Sequence, residues 1–164
     1  MSEPPASLVV VMGVAGSGKS TVGPLVATRL HVPFVDADDL HDPESREQMR
    51  LGEPLTDAQR APWLARVHGV LAAHQSGGVV VACSALRAAY RATIRGDLRG
   101  VVFVELVVDP EVLRRRLERR ACHFAGPALL DSQLHTIEVD DQVRTVDGTQ
   151  PPDEVADAIV AIER

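Results

Sequence analysis

The stretch Gly13-Val14-Ala15-Gly16-Ser17-Gly18-Lys19-Ser20 fits the phosphate-binding loop pattern G-x-x-x-x-G-K-[ST] at every fixed position. In such a loop the backbone N–H groups face phosphate oxygens, the lysine reaches the β- and γ-phosphates, and the final hydroxyl reaches Mg²⁺. Lys19 is the only lysine of the chain, whereas the other Lys/Arg positions are all arginine. We therefore predict that residues 13–20, with Thr21 beside them, bind ATP and Mg²⁺.

The segments on either side of this loop support the prediction. Leu8 to Met12 is a continuous apolar run, which is typical of a parallel strand buried on both faces. Apolar residues then recur from Val22 to Leu30 at the spacing of an amphipathic helix, although Pro24 should cost that helix a hydrogen bond. Strand, glycine-rich turn and helix is the order that phosphate binding requires.

The remainder of the chain alternates short apolar runs with helical patterns. Such alternation predicts an α/β protein, with about five parallel strands in a sheet flanked by helices. The length is that of one domain, residues 1–164. The further strands are predicted at 33–35, 79–82, 101–107 and 143–146, and the further helices at 60–74, 86–98, 110–120 and 152–162.

Composition narrows the class of protein. The chain is 45% hydrophobic and 24% charged, as ordinary globular proteins are, and its net charge of −6 argues against nucleic acid as a partner. No apolar run approaches the roughly 18 residues that span a bilayer. Cys83 and Cys122 fit no metal or disulfide spacing. They are interpreted as reduced thiols of a cytoplasmic protein.

Two carboxylates follow the second predicted strand. Asp36 and Asp38 are alternate residues, so their side chains should point the same way at the carboxyl edge of the sheet. One could orient Mg²⁺ while the other accepts the proton of an attacking hydroxyl. No apolar run ends in a typical Walker B aspartate, which favours Asp36 for the metal. An acidic loop that caps the next helix is an equally good interpretation of these residues alone.

Several longer motifs occur in order along almost the whole chain: Asp36-x-Asp38-x-Leu40-His41, Gly52-Glu53-Pro54-Leu55 followed by Pro62-Trp63-Leu64, Cys83-Ser84-Ala85-Leu86, Tyr90-Arg91, His123-Phe124 and Leu129-Leu130-x-Ser132-Gln133. In these motifs the chain resembles the small P-loop gluconate kinases (gluconokinases). The resemblance implies a nucleoside-monophosphate-kinase-like, three-layer P-loop fold with a mobile lid at about 121–135. It also implies ATP-dependent phosphorylation of D-gluconate to 6-phospho-D-gluconate, with Mg²⁺, and often a homodimer.

The resemblance also suggests roles for individual residues. Asp38 corresponds to the base for the sugar hydroxyl, and Asp36 and Ser20 to the metal side. Lys19, Arg116 and Arg120 would stabilise the transferring phosphoryl group, and Gln150 and Pro151 would lie beside the adenine. The implied substrate contacts are Asp38, His41, Arg60, Ser84, Arg91 and His123. Taken alone, Arg60, Arg91 and the arginines at 114–120 would be interpreted as solvated helix faces.

The chain departs from the family pattern at four positions. Ser45 and Gln48 replace an expected asparagine and lysine, Cys122 replaces a glycine, and Gly126 replaces a lid lysine. These changes leave open a different acceptor, such as shikimate, on the same fold. A nucleotide-binding switch without metabolic turnover is the alternative from another class of protein, and Asp36, Asp38 and the arginine-bearing lid argue against it.

Overall fold

Five parallel strands form one sheet in a computed structural model that describes residues 6–119 and 127–164. The strands are β1 (Leu8–Met12), β2 (Phe34–Asp36), β3 (Val79–Ala82), β4 (Val101–Val107) and β5 (Val143–Asp147). Their order across the sheet is β2-β3-β1-β4-β5. This arrangement confirms the predicted five-stranded parallel sheet. It also places the carboxyl ends of β1, β2 and β3 side by side.

Helices cover both faces of the sheet. They are α1 (Lys19–Leu30), α2 (Pro43–Arg50), α3 (Asp57–Ala73), α4 (Ala88–Arg95), α5 (Pro110–Arg119), α6 (Pro127–Thr136) and α7 (Pro152–Glu163), with a 3₁₀ turn at Ala37–Leu40. The predicted lid, 121–135, overlaps α6, and its residues 121–126 lie outside the described part of the chain. None of the described helices is long and apolar enough to cross a membrane.

The apolar runs of the strands divide their side chains between two cores. In β1, Leu8, Val10 and Met12 pack with α3 and α4, while Val9 and Val11 pack with α1 and α7. All five residues of β1 are buried, as expected for a strand covered on both faces. A smaller third cluster joins Val14 of the phosphate-binding loop to α5 and α6.

Several predicted boundaries differ from the structure, three of them for an evident local reason. Asp36 is the last residue of β2 rather than the first residue after it, because it pairs with Ala82 in the parallel ladder. Helix α3 begins at Asp57, three residues earlier than predicted, because Thr56 and Gln59 form a capping box. Helix α4 is shorter than predicted, since Ala85 before it and Gly96 after it both have left-handed φ angles, 44° and 54°.

Pro24 lies within α1, which nevertheless continues to Leu30. Its neighbour Gly23 explains how α1 approaches the sheet so closely, because a Cβ atom at Gly23 would lie 2.4 Å from Cε2 of Phe34. Contact between α1 and β2 fixes the first residues of α1 next to the end of β2. The phosphate-binding loop and the acidic pair are therefore positioned by the same packing.

Candidate active site

The phosphate-binding loop takes its shape from glycines in the left-handed region. Gly16 and Gly18 have φ angles of 82° and 102°, and Gly18 is the residue from which α1 starts. Side chains rarely adopt such angles, so these positions favour glycine. The ammonium of Lys19 donates to the carbonyl oxygens of Gly13, at 2.9 Å, and Val14, at 3.0 Å. These two hydrogen bonds hold the Lys19 side chain against the first residues of its own loop.

Ser20 and the acidic pair meet at the ends of β1 and β2. The Ser20 hydroxyl donates to Oδ2 of Asp36 at 2.8 Å. The other oxygen of Asp36 accepts the backbone N–H of Asp38 at 3.0 Å and so caps the 3₁₀ turn. The structure therefore brings these three predicted residues together, and Asp36 serves both as a cap and as a neighbour of the loop.

Asp38 is exposed as a residue, but nearby protein atoms remove part of the hydration of its carboxyl group. This desolvation raises the pKa of Asp38 above its ordinary value, and the charge of Lys19 opposes that rise. The charges of Asp36 and Asp39 raise the pKa further. A carboxylate that is poorly solvated and close to Lys19 is well suited to accept a proton next to a phosphate site.

Trp63 of α3 supports the turn that carries Asp38. Its indole N–H donates to the carbonyl oxygen of Ala37 at 2.7 Å, in a buried hydrogen bond. The ring of His41 stacks on the indole with the centroids 4.2 Å apart. Burial of His41 lowers its pKa to about 4, so the imidazole is neutral near pH 7 and can donate to or accept from a hydroxyl. Sequence reasoning identified His41 but missed the role of Trp63.

Arg60 lies at the start of α3 and contacts α4. It donates to the Tyr90 hydroxyl at 2.6 Å and its guanidinium carbon lies 4.7 Å from the centre of the Tyr90 ring. The same hydroxyl donates to Asp57 at 2.8 Å. Arg60 therefore faces the protein rather than forming the solvated helix face that was the alternative interpretation.

Arg91 is placed differently from the expectation of a substrate contact. Its side chain is only 3% exposed. It donates to the carbonyl oxygens of Ala85, Leu86 and Glu138 at 2.8–3.1 Å and forms an ion pair with Asp140. These bonds fasten the segment after α6 to the start of α4. The structure thus gives Arg91 a supporting role at the loop that carries Ser84, which is half-buried just beyond β3.

Arg116 of α5 joins the phosphate-binding loop to the loop after β5. It donates to the carbonyl oxygens of Gly16 at 3.1 Å and Gly148 at 3.0 Å. A cleft of about 340 Å³ lies beside it, lined by residues of both loops that include Gly18, Thr21, Gln150 and Pro152. Pro151 directly precedes α7 beside this cleft. Arg120 and His123 lie outside the described residues.

A larger cleft, of about 560 Å³, lies between α1 and α7 and contains none of the predicted site residues. Arg29, which lines it, is already paired with Asp153 and Asp157 at 2.8 Å. The smaller cleft adjoins the phosphate-binding loop and is therefore the one that suits a nucleotide.

Ser45 and Gln48, two of the residues that differ from the family pattern, have local structural roles. Ser45 is buried, and its backbone N–H and hydroxyl both donate to the Asp42 carboxylate that caps α2. The amide of Gln48 bonds the carbonyl oxygen of Pro54 and the side chain of Gln59. Ser45 thus stabilises the start of α2, and Gln48 stabilises the segment that leads to Arg60. The departures Cys122 and Gly126 lie outside the described residues.

A parallel sheet, a phosphate-binding loop between β1 and α1, and an acidic pair beside its serine define a P-loop kinase that acts on a small molecule. A family model described as shikimate kinase matches residues 15–161. The gluconokinase of Gluconobacter oxydans is 45% identical over 157 residues, which cover 93% of this chain and 88% of that protein.

Solved structures of kinases also resemble this chain over almost its whole length. A gluconokinase from Sinorhizobium meliloti superimposes with a TM-score of 0.85 at 41% identity, over 96% of this chain and 91% of that one. A sugar kinase from Janibacter superimposes with a TM-score of 0.89 at 36% identity, over 96% and 94% of the two chains. The chain belongs to the gluconokinase family, as the motifs led us to expect.

Proposed function

We propose that this kinase transfers the γ-phosphoryl group of ATP to D-gluconate and forms 6-phospho-D-gluconate. The observation that carries the proposal is the hydrogen bond between Ser20 and Asp36, with Asp38 bonded to the same carboxylate. It supports the proposal because the residues proposed for the metal side and for the base then lie next to each other. The similarity to gluconokinases over most of their length supports gluconate as the acceptor.

Each part of the site has a proposed task. The loop residues 13–21 surround the phosphates, and Lys19 stabilises negative charge on the β- and γ-phosphates. Asp38 accepts the proton of the attacking hydroxyl, since desolvation favours its protonated form. Arg116 would turn from the carbonyl oxygens that it now bonds toward the phosphates, and Arg120 would assist it. Gln150 and Pro151 would border the adenine.

Mg²⁺ fits the residues that are present. The Ser20 hydroxyl and the Asp36 carboxylate offer oxygen ligands 2.8 Å apart at the end of the loop, and Mg²⁺ in kinases is held by one or two such groups together with phosphates. Ser20 would bind the ion directly, and Asp36 would orient it. The ion would supply charge neutralisation on the phosphates.

The acceptor would bind between the acidic pair and α3. Neutral His41 suits the hydroxyl groups of a polyol, and Arg60 suits its carboxylate. Ser84 would add a hydroxyl contact. His123 would reach the acceptor as the motif implies, and Arg91 would act by holding the Ser84 loop rather than by direct contact.

We also propose that residues 1–164 form one kinase domain and that the protein is a cytoplasmic homodimer with no nucleic-acid partner. The single described sheet supports one domain, and the net charge of −6 argues against nucleic acid. Burial raises the pKa of Cys83 to about 12, which suits an unreactive thiol. Light scattering after gel filtration tests the dimer.

The test of function is ADP release with MgATP and a panel of acceptors: gluconate, shikimate, glucose, glycerate and none. The proposal expects turnover with gluconate and only background release with the other four. Turnover with a different acid would contradict the proposed acceptor. Equal release with every acceptor and with none would mean that the protein only hydrolyses ATP.

A further inference from the structure

Gln133 is a polar residue on the apolar face of α6. Leu130, Gln133, Leu134 and Ile137 follow the spacing that places side chains on one side of a helix. Leu130 is fully buried in the cluster that also contains Val14, and Leu134 and Ile137 pack against the same cluster. The packing of α6 thus directs Gln133 toward the phosphate-binding loop.

The amide oxygen of Gln133 accepts the backbone N–H of Ala15 at 2.6 Å, across 118 positions of sequence. The same peptide unit, between residues 14 and 15, carries the Val14 carbonyl oxygen. That oxygen accepts from the Lys19 ammonium at 3.0 Å. One peptide unit is therefore held at its N–H by Gln133 and bonded at its carbonyl oxygen to Lys19.

A peptide unit is planar, and in the trans form its N–H and C=O point in opposite directions. No cis peptide bond occurs in the described residues. A bond that fixes the direction of the Ala15 N–H therefore also fixes the direction of the Val14 carbonyl. The Val14 carbonyl also accepts the Ser17 N–H at 3.2 Å. Without the Gln133 bond, the peptide unit would be held from its carbonyl side alone, and one of the two carbonyl acceptors of Lys19 would be less well fixed.

We propose that Gln133 is a positioning residue for Lys19, acting through the Val14–Ala15 peptide unit. The proposal rests on the catalytic role proposed for Lys19 above. It explains why a polar side chain interrupts the apolar face of α6. It also assigns to α6 an effect on phosphoryl transfer through the loop, because the position of the ammonium determines how well it meets the β- and γ-phosphates.

The test uses the fact that Lys19 is the only lysine of the chain. Protein labelled with ¹³C at the lysine Cε, and carrying no added lysine, gives one NMR signal that reports on Lys19 alone. Gln133→Leu removes the acceptor and suits the apolar face of α6, so the variant should fold. We expect the Lys19 signal of this variant to move and to change in line width. Ser132→Ala, an exposed neighbour on the same helix, should leave the signal unchanged.

Kinetics give the second readout. Gln133→Leu should lower kcat about 10-fold, with little change in thermal stability. This loss is smaller than the roughly 10²-fold loss of kcat that a displacement of 1 Å can cost. Gln133→Glu keeps an acceptor oxygen at the same reach but adds a negative charge beside the phosphate-binding loop, so its kcat should recover part of this loss. Ser132→Ala should have the kcat of the wild type.

A Lys19 signal in folded Gln133→Leu that is identical to that of the wild type would overturn the proposal, whatever the activity. A Glu variant no more active than the Leu variant would also contradict it, because the acceptor would then be irrelevant. The NMR measurement does not depend on turnover and so tests the role of Gln133 by itself. The proposed acceptor, gluconate, is tested separately by the panel of acceptors.

Discussion

Replacing Trp63 with phenylalanine should impair both the stability of the protein and the placement of Asp38. Phenylalanine keeps an aromatic ring beside His41 but lacks the N–H that donates to Ala37 at 2.7 Å. A buried carbonyl left without its donor costs about 1–3 kcal/mol, and the smaller ring adds a cavity penalty. We expect the free energy of unfolding to fall by about 2–4 kcal/mol.

The catalytic effect follows from the position of Ala37 between the two carboxylates. If the turn shifts, Asp38 is displaced from the acceptor hydroxyl, and kcat should fall about 10-fold while the KM for ATP stays unchanged. Urea titration followed by far-UV circular dichroism gives the stability, because Trp63 is the only tryptophan and its fluorescence is lost with the substitution. Initial rates of ADP release give the kinetics.

The matched control is Leu71→Ala on the same helix. Leu71 is fully buried in the same core cluster, so its truncation should cost about 2–5 kcal/mol without touching the turn. Its kcat should be that of the wild type wherever the protein is folded. Wild-type kcat in Trp63→Phe, together with the expected loss of stability, would refute the inference that Trp63 positions Asp38.

Three further predictions concern single residues. Asp38→Asn should lower kcat by about 10²-fold or more with unchanged ATP affinity by calorimetry, and a rise in KM alone would make Asp38 a binding residue. Lys19→Ala should abolish turnover in the ADP-release assay, so near-normal kcat would contradict the assignment of the loop. His41→Gln concerns stability and pH. Because burial lowers the pKa of His41 to about 4 from 6.5, the unfolded chain binds more protons between these values, and stability contributed by His41 is lost as the pH falls through this window. Urea titrations at pH 6.5 and 4.5 should therefore show a smaller loss of stability on acidification in the variant than in the wild type, and equal losses would contradict the stated pKa.

The sheet was predictable because β1, β3 and β4 are almost entirely apolar runs, whereas the edge strand β5 keeps only Val143 and Val146 as apolar residues. In contrast, α2 has the sequence PESREQMR, which has no apolar stripe to reveal a helix. It is held by the Asp42 cap and by contacts of Gln48 with the segment before α3. Helix α6 was not predicted because almost all of its residues belong to the segment that was interpreted as the lid, about 121–135.

The site was predictable where chemistry depends on local spacing. The sequence predicted that the loop and the pair Asp36 and Asp38 lie at one edge of the sheet, and the structure brings them together, although Asp38 lies in a 3₁₀ turn rather than in line with the strand. Contacts between segments that are distant in the sequence could not be predicted from local spacing. The burial of Arg91 depends on Glu138 and Asp140, and the bond from Ala15 to Gln133 depends on the packing of α6. Only the break in the apolar face at Gln133 gave a local signal.

The two oxygens of Asp36 bond different parts of the site, one the Ser20 hydroxyl on the proposed nucleotide side and one the Asp38 N–H on the proposed acceptor side. An asparagine there would present one oxygen and one amino group: the oxygen could still accept the Asp38 N–H, and the amino group could donate to the Ser20 hydroxyl, which accepts as well as donates. Asparagine at position 36 would therefore remove the negative charge offered to the proposed Mg²⁺ while it keeps the cap of the turn that carries Asp38. Any ion that draws the Ser20 hydroxyl away from this carboxylate changes its charge distribution on the acceptor side as well. The order in which ATP and acceptor bind should therefore depend on this one residue, and isotope exchange at equilibrium would reveal such an order.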